Sequence, residues 1–274
     1  MSRLILMLTI VAVGISLSIA AGCERPDAPA FSNPLDPTDP NYVPPLATIT
    51  AGPDDGETVA DADVTFSWSG VDRVDAYRYR LDEADWAAWL STTTVEFQLL
   101  DEGEHIFAVM GRYPTGDEQT EPTTRTFIVD AVEGPALMFR PRRIVVKPGD
   151  RFSVDVVAEE VEDLLGARVR IVYDQELRLQ VVGEGTFLAE NGGRVVFLSE
   201  NDSGALTVDT AVAEGMPTGV TGSGAIATLV FSAQGEGDAS LVYADDSVLR
   251  NSENQDIPLS TRVDGSAVVR EETP

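Results

Sequence analysis

The side chains able to do chemistry are few in kind: one histidine, His105, and one cysteine, Cys23, stand against 46 carboxylates. A Ser-His-Asp arrangement needs His105 to meet a serine and a carboxylate in a cleft, and no motif gathers them. An isolated histidine beside Glu104 reads as a surface or edge residue of a strand. Glycoside hydrolysis needs two carboxyl groups, one of them raised by an apolar setting, and no pair stands out in that way. Zinc-spaced Cys and His are missing, and so is the Asp-x-Asp-x-Asp-Gly loop that holds calcium. Asp202 with Asp209, or Asp245 with Asp246, could hold calcium weakly at a loop, with solvated turn acids the simpler reading. Trp86 and Trp89 could stack on sugar rings or cap a sandwich. The residues therefore point to no catalytic group, no metal and no cofactor, and leave a binding surface as the function to look for.

Composition narrows the partners. Asp and Glu outnumber Lys and Arg by 46 to 19, a formal net charge of -27, without a basic run to interrupt the imbalance. A phosphate backbone needs a basic footprint, so nucleic acid is excluded as a partner. An acidic surface favours solubility, basic partners or divalent cations. With 43% apolar residues in 274, the chain can fill two β cores, and its lone cysteine allows no internal disulfide.

At the start, Arg3 precedes an apolar run from Leu4 to Ile19 and the small residues Ala20-Ala21-Gly22, a signal-peptide pattern over residues 1–22. Small residues followed by Cys23 resemble a bacterial lipobox, with Ala20 where Leu is usual. That resemblance implies cleavage before Cys23, lipidation there and a stable membrane anchor. Glu24 in place of Asp then implies an outer-membrane or surface address. Residues 23–46, with seven prolines between Pro26 and Pro45, read as an extended, semi-rigid tether.

The elements that must position any site are strands. Over residues 47–130, candidates at Thr48–Ala51, Val64–Trp68, Ala76–Leu81, Val95–Leu99, His105–Gly111 and Thr124–Val129 alternate with turns, and Phe66 and Trp68 fall on one inward face. The run Thr-Phe-Ser-Trp-Ser-Gly, then Tyr77 and Tyr79, is similar to immunoglobulin-like and fibronectin type III-like sandwiches. After a short hinge at Ala131–Pro135, residues 131–274 carry nine strand candidates and no amphipathic helix. The fold class is all-β: two β-sandwiches, the second a nine-stranded jelly roll.

The second sandwich is organised around Asp163–Leu188. Val169, Ile171 and Tyr173 alternate inward against Arg168, Arg170 and Val172, and a polar turn leads to Leu177-Arg178-Leu179 and a Gly-x-Gly-x-Phe-Leu run. This order resembles the cohesin modules of bacterial cellulosome scaffolds, which are unrelated to the chromosomal ring of that name. The resemblance continues through VVKPGDRFSVDVVAEEV, GRVVFLSENDSGALTVDTA, TGSGAIATLVFSA and SLVYADDSVLRNSENQDIP to VDGSAVV.

What it implies is a face built from the third, fifth, sixth and eighth strands that receives a dockerin, the calcium being carried by the dockerin-bearing partner. On the third strand the outward residues are Gly166, Arg168 and Arg170; on the fifth they are Val196, Leu198 and Glu200, with Asn201 and Gly204 in the loop that follows. Exposed Val196 and Leu198 beside two arginines suggest an apolar centre with a charged rim, and the arginines suggest a partner helix carrying acids. The chain is thus expected to be a non-catalytic, membrane-anchored adaptor for dockerin-bearing proteins. The alternatives are a polysaccharide-binding lipoprotein and a structural or adhesive surface protein.

Overall fold

The computed structural model describes residues 32–202, 204–214 and 218–271. The leader and Cys23 lie outside the described residues. Contacts divide the chain into Met1–Pro44 and Pro45–Pro274.

In the first unit the described residues form hydrogen-bonded turns where an extended tether was expected. Asp36 accepts from the Thr38 N–H and hydroxyl, and Asp39 accepts from the N–H groups of Asn33 and Asn41. Short Asp and Asn side chains capture nearby N–H groups, and this local competition outweighs the extended preference of the prolines.

In the second unit β1 (Ala47–Ala51), β3 (Val64–Gly70) and β5 (Thr94–Phe97) form one sheet. β2 (Glu57–Val59), β7 (Thr123–Val129), β6 (Gly103–Arg112) and β4 (Ala76–Leu81) form a second, in that order. Alternation sends Phe66 and Trp68 inward, and Phe66 stacks on Phe107 with ring centroids 4.1 Å apart. Phe127, Val109 and Ile49 complete this core.

The remaining strands are β8 (Ala136–Arg140), β9 (Arg143–Val146), β10 (Arg151–Tyr173), β11 (Leu177–Glu184), β12 (Arg194–Asp202), β13 (Ala205–Glu214), β14 (Val220–Ala233), β15 (Gly237–Tyr243), β16 (Val248–Asn251), β17 (Asp256–Ile257), β18 (Thr261–Val263) and β19 (Gly265–Val269). These make a twelve-stranded hydrogen-bonded system where the sequence suggested nine. Three of the sequence candidates each break into two strands, and the two candidates Arg151–Ala158 and Ala167–Tyr173 run together as β10.

β10 joins the two layers. Its first half pairs β8 and β14, and its second half pairs β13, β15 and β16. Between them the strand is bulged, with Glu160 and Asp163 at positive φ. The Asp163 carboxylate accepts from the Gly219 N–H (2.6 Å) and from the Ser252 hydroxyl (2.5 Å) and N–H, tying the bulge to β14 and to the turn after β16. A Cβ on Gly219 would lie 2.3 Å from the Asp163 carbonyl carbon, so only glycine permits this approach. Phe139, Phe231, Ile171, Leu206 and Leu249 from both layers fill the core.

The connector at Ala131–Pro135 is docked. Val132 is buried with Met138, Val157 and Val263, the Ala131 N–H donates to Glu102, and the Gly134 N–H donates to Glu160. Asp101, just before β6, accepts from the Arg142 N–H at 2.6 Å. Few residues separate the two strand sets, so satisfying these backbone donors fixes the join.

Candidate protein-docking face

Four strands present one outer surface in the order β12, β13, β10 and β16, and their register writes it in rows. Val196 stands opposite Ala211, which stands opposite Gly166, followed by Arg250. In the next row Leu198, Asp209, Arg168 and Val248 lie side by side. Glu200, Thr207 and Arg170 make the third. Pairing conserves the face, so all these side chains emerge on the same side.

The first two rows enclose a shallow groove of about 420 Å³. Its floor is Gly166 and Ala211, and a Cβ on Gly166 would sit 3.1 Å from the Ala211 Cβ and the Thr210 carbonyl. Val196 (42% exposed) and Leu198 (63% exposed) form one wall; Val248, Arg250 and Asn254 form the other. Val195 and Phe197, of opposite parity, pack against the core. Methyl and isopropyl groups left in water beside a glycine floor are the ingredients of an interface centre.

The three arginines of this face are already matched. Arg168 grips Asp209 with two hydrogen bonds, 2.7 Å from Nε and 3.3 Å from a terminal nitrogen, and the Asp209 carboxylate holds its guanidinium above its ordinary pKa. Arg170 reaches Asp246 at 3.3 Å, and Arg250 reaches Asp256 at 2.9 Å. The acid-bearing partner helix suggested by the sequence would compete with carboxylates already in place, Asp209 on β13 for Arg168 and Asp246 in the turn before β16 for Arg170. What the face leaves unmatched is the apolar surface of Val196 and Leu198.

Of the residues singled out from the sequence, Gly166, Arg168, Val196 and Leu198 come together in the groove. Arg170 and Glu200 continue the same face one row away. Asn201 and Gly204 do not join them. Asn201 accepts a 2.9 Å hydrogen bond from the Tyr173 hydroxyl, and Gly204, at φ 95°, accepts from the Tyr173 N–H; both line a separate depression at the hairpin end. Asp209, Ala211, Val248, Arg250 and Asn254 were missed. Asp209 and Ala211 follow from extending the alternation to β13, whereas the β16 residues depend on a pairing that no local pattern encodes.

The other candidates take different roles. Asp209 and Asp246, considered for calcium, are held by arginines, and among the described residues no cluster of three or more His, Cys, Asp or Glu is placed to hold a metal ion. His105 is buried at 8% exposure, correcting the surface reading: β6 is an interior strand of its sheet. Its Nδ1 lies 2.8 Å from Asp82 Oδ2 and its Nε2 lies 2.8 Å from the Asp101 carbonyl. Burial opposes its protonation, but the Asp101 carbonyl and the Asp82 carboxylate outweigh burial, and the ring titrates above its ordinary value.

Trp86 and Trp89 stand in a stack of alternating indoles and guanidiniums, Arg80, Trp86, Arg78, Trp89 and Arg112, at 4.5–5.1 Å. Each indole is thus in contact with two guanidiniums, which compete with the sugar stacking considered for this pair. In the second sandwich Phe139, Phe152, Phe187, Phe231 and Tyr243 are buried and Tyr173 and Phe197 partly so, which leaves no planar row of exposed rings.

No family model matches the chain, and no curated protein matches it. Among solved structures it is similar to a non-cellulosomal cohesin from the archaeon Archaeoglobus fulgidus, at 13% identity and a TM-score of 0.41 over 50% of this chain and 89% of that one. It is also similar to the sixth cohesin of Acetivibrio cellulolyticus scaffoldin B, solved in complex with a Cel5 dockerin mutant, at 16% identity and a TM-score of 0.43 over 50% of this chain and all of that one. A cohesin of a Clostridium thermocellum type I cohesin–dockerin complex matches at 12% identity and a TM-score of 0.42 over 51% of this chain and 96% of that one.

Proposed function

We propose that the chain is a non-catalytic adaptor whose second sandwich captures dockerin-bearing proteins in the groove between Val196, Leu198, Gly166 and Val248. The observation that carries this reading is the coincidence of two independent facts. The outward residues that the cohesin-like motifs nominate on two separate strands share one groove, and that groove exposes Leu198 without an internal partner for its apolar surface. A monomer gains nothing by leaving a large aliphatic side chain in water beside a glycine-floored trough, whereas a docked helix would cover both.

In this reading Cys23 carries the lipid anchor, residues 23–46 are the tether, residues 47–130 form an immunoglobulin-like spacer, and the address is the outer membrane or cell surface. The calcium belongs to the dockerin partner. The test uses residues 45–274, one compact unit with both cores, against the dockerins encoded in the same genome, with and without chelator. Calcium-dependent binding that Leu198→Arg abolishes, with the circular dichroism spectrum unchanged, supports the proposal. Binding to none of them, or binding indifferent to Leu198→Arg, overturns it.

A further inference from the structure

The strand that supplies Val196 and Leu198 has a second unused side. Among the described residues β12 pairs only with β13, so the backbone donors and acceptors along its other edge have no strand partner. Natural sheets blunt such edges with charged side chains, lysine above all, with proline, short strands or bulges, and on β12 the charges Arg194, Glu200 and Asp202 stand towards the two ends, outside the run Val195–Ser199. β12 runs nine residues as Arg-Val-Val-Phe-Leu-Ser-Glu-Asn-Asp, without lysine or proline, and its irregularity falls at the Arg194 end.

We propose that this edge is the seam of a homodimer, in which β12 pairs antiparallel with β12 of a second copy about a two-fold axis at Phe197. The strand is self-complementary in that register. Val196 faces Leu198 of the second copy and Arg194 faces its Glu200, each pair occurring twice by symmetry, while the two Phe197 side chains meet on the core side. Even-numbered residues stay on the outer face in both copies, so the alternation is kept. Moving the axis to Leu198 would set Val196 against Glu200, and moving it to Glu200 would set two carboxylates together. Only the Phe197 register matches apolar with apolar and charge with opposite charge. Joining the copies makes one continuous sheet whose outer face carries both grooves side by side, so the dimer would be bivalent for whatever the grooves hold. The inference does not depend on the identity of that occupant.

The experiment is sedimentation velocity on residues 45–274 from about 1 to about 200 µM, in roughly 0.15 M salt so that the acidic copies are screened beyond about 8 Å. A concentration-dependent dimer is expected. Arg194→Glu and Glu200→Arg, both at exposed positions, each place like charges across the seam and should weaken the dimer about tenfold or more. The double variant restores opposite charges and should return to wild-type affinity, with circular dichroism confirming the fold throughout. A monomer at the highest concentration overturns the proposal. So does a dimer indifferent to the single substitutions, or one that the double variant fails to rescue.

Discussion

His105 allows a prediction in which the structure sets the sign and solution measurements set the size. Its two ring nitrogens each meet an acceptor, Asp82 from the turn after β4 and the Asp101 carbonyl from the segment before β6, and the ring lies against Phe127 of β7. Asp101 in turn faces Arg140 and Arg142, and its carboxylate receives the Arg142 N–H from the second sandwich. Only the imidazolium can donate to both acceptors. Once it deprotonates, one nitrogen turns a lone pair toward an oxygen.

A group held above its unfolded value adds stability that is complete below about pH 6.5 and is lost as the pH rises through its folded value. Each unit by which the fold raises His105 is worth about 1.4 kcal/mol, or about 3–6 °C in the melting midpoint for a chain of this size. Since His105 is the sole histidine, an imidazole NMR titration reads its folded value without assignment. Calorimetry between about pH 6 and pH 9 should then show the loss that linkage demands from that value, and His105→Gln should remove that part of the pH dependence. A folded value at or below 6.5, or an equal loss in wild type and variant, refutes the reasoning.

Three further outcomes follow from the same coordinates. Asp163 is held below its ordinary value by the Ser252 hydroxyl and the Gly219 N–H, so its contribution is present above about pH 3.9 and disappears as the pH falls through the folded value. Asp163→Asn, which tolerates the positive φ, should cost about 1 kcal/mol near neutrality and nothing in strong acid, as read by urea unfolding. Trp89→Ala removes the indole between Arg78 and Arg112 and should destabilise the first sandwich by about 1–3 kcal/mol in thermal unfolding, while leaving any groove-bound partner in place. Gly166→Val fills the groove floor, where an added Cβ would meet the Ala211 Cβ at 3.1 Å. It should reduce partner affinity in titration calorimetry far more than Arg168→Ala, whose charge is compensated by Asp209.

Alternation was enough to sort many side chains. Val169 and Ile171 inside, Arg168 and Arg170 outside, and Phe66 with Trp68 in a core all follow from period two, because a pleated strand leaves no other choice. Composition excluded a basic footprint without any structure. His105 was misjudged because the sequence does not say which strand is interior to a sheet; two neighbours, not one residue, bury it. The turns at residues 33–41 were not anticipated, because the Asp36 and Asp39 carboxylates accept hydrogen bonds from nearby N–H groups that the proline spacing does not reveal.

What the chain's residues settled alone was therefore face and class: β throughout, which parity points outward, and which groups could carry chemistry. Folding decided adjacency. That Asp209 neutralises Arg168, that Ala211 and Gly166 share a floor, that Val248 closes the far wall and that β12, among the described residues, pairs with β13 alone are consequences of long-range register. Register is fixed by the bulge at Asp163 and by core packing across two layers, and neither is written in any local stretch.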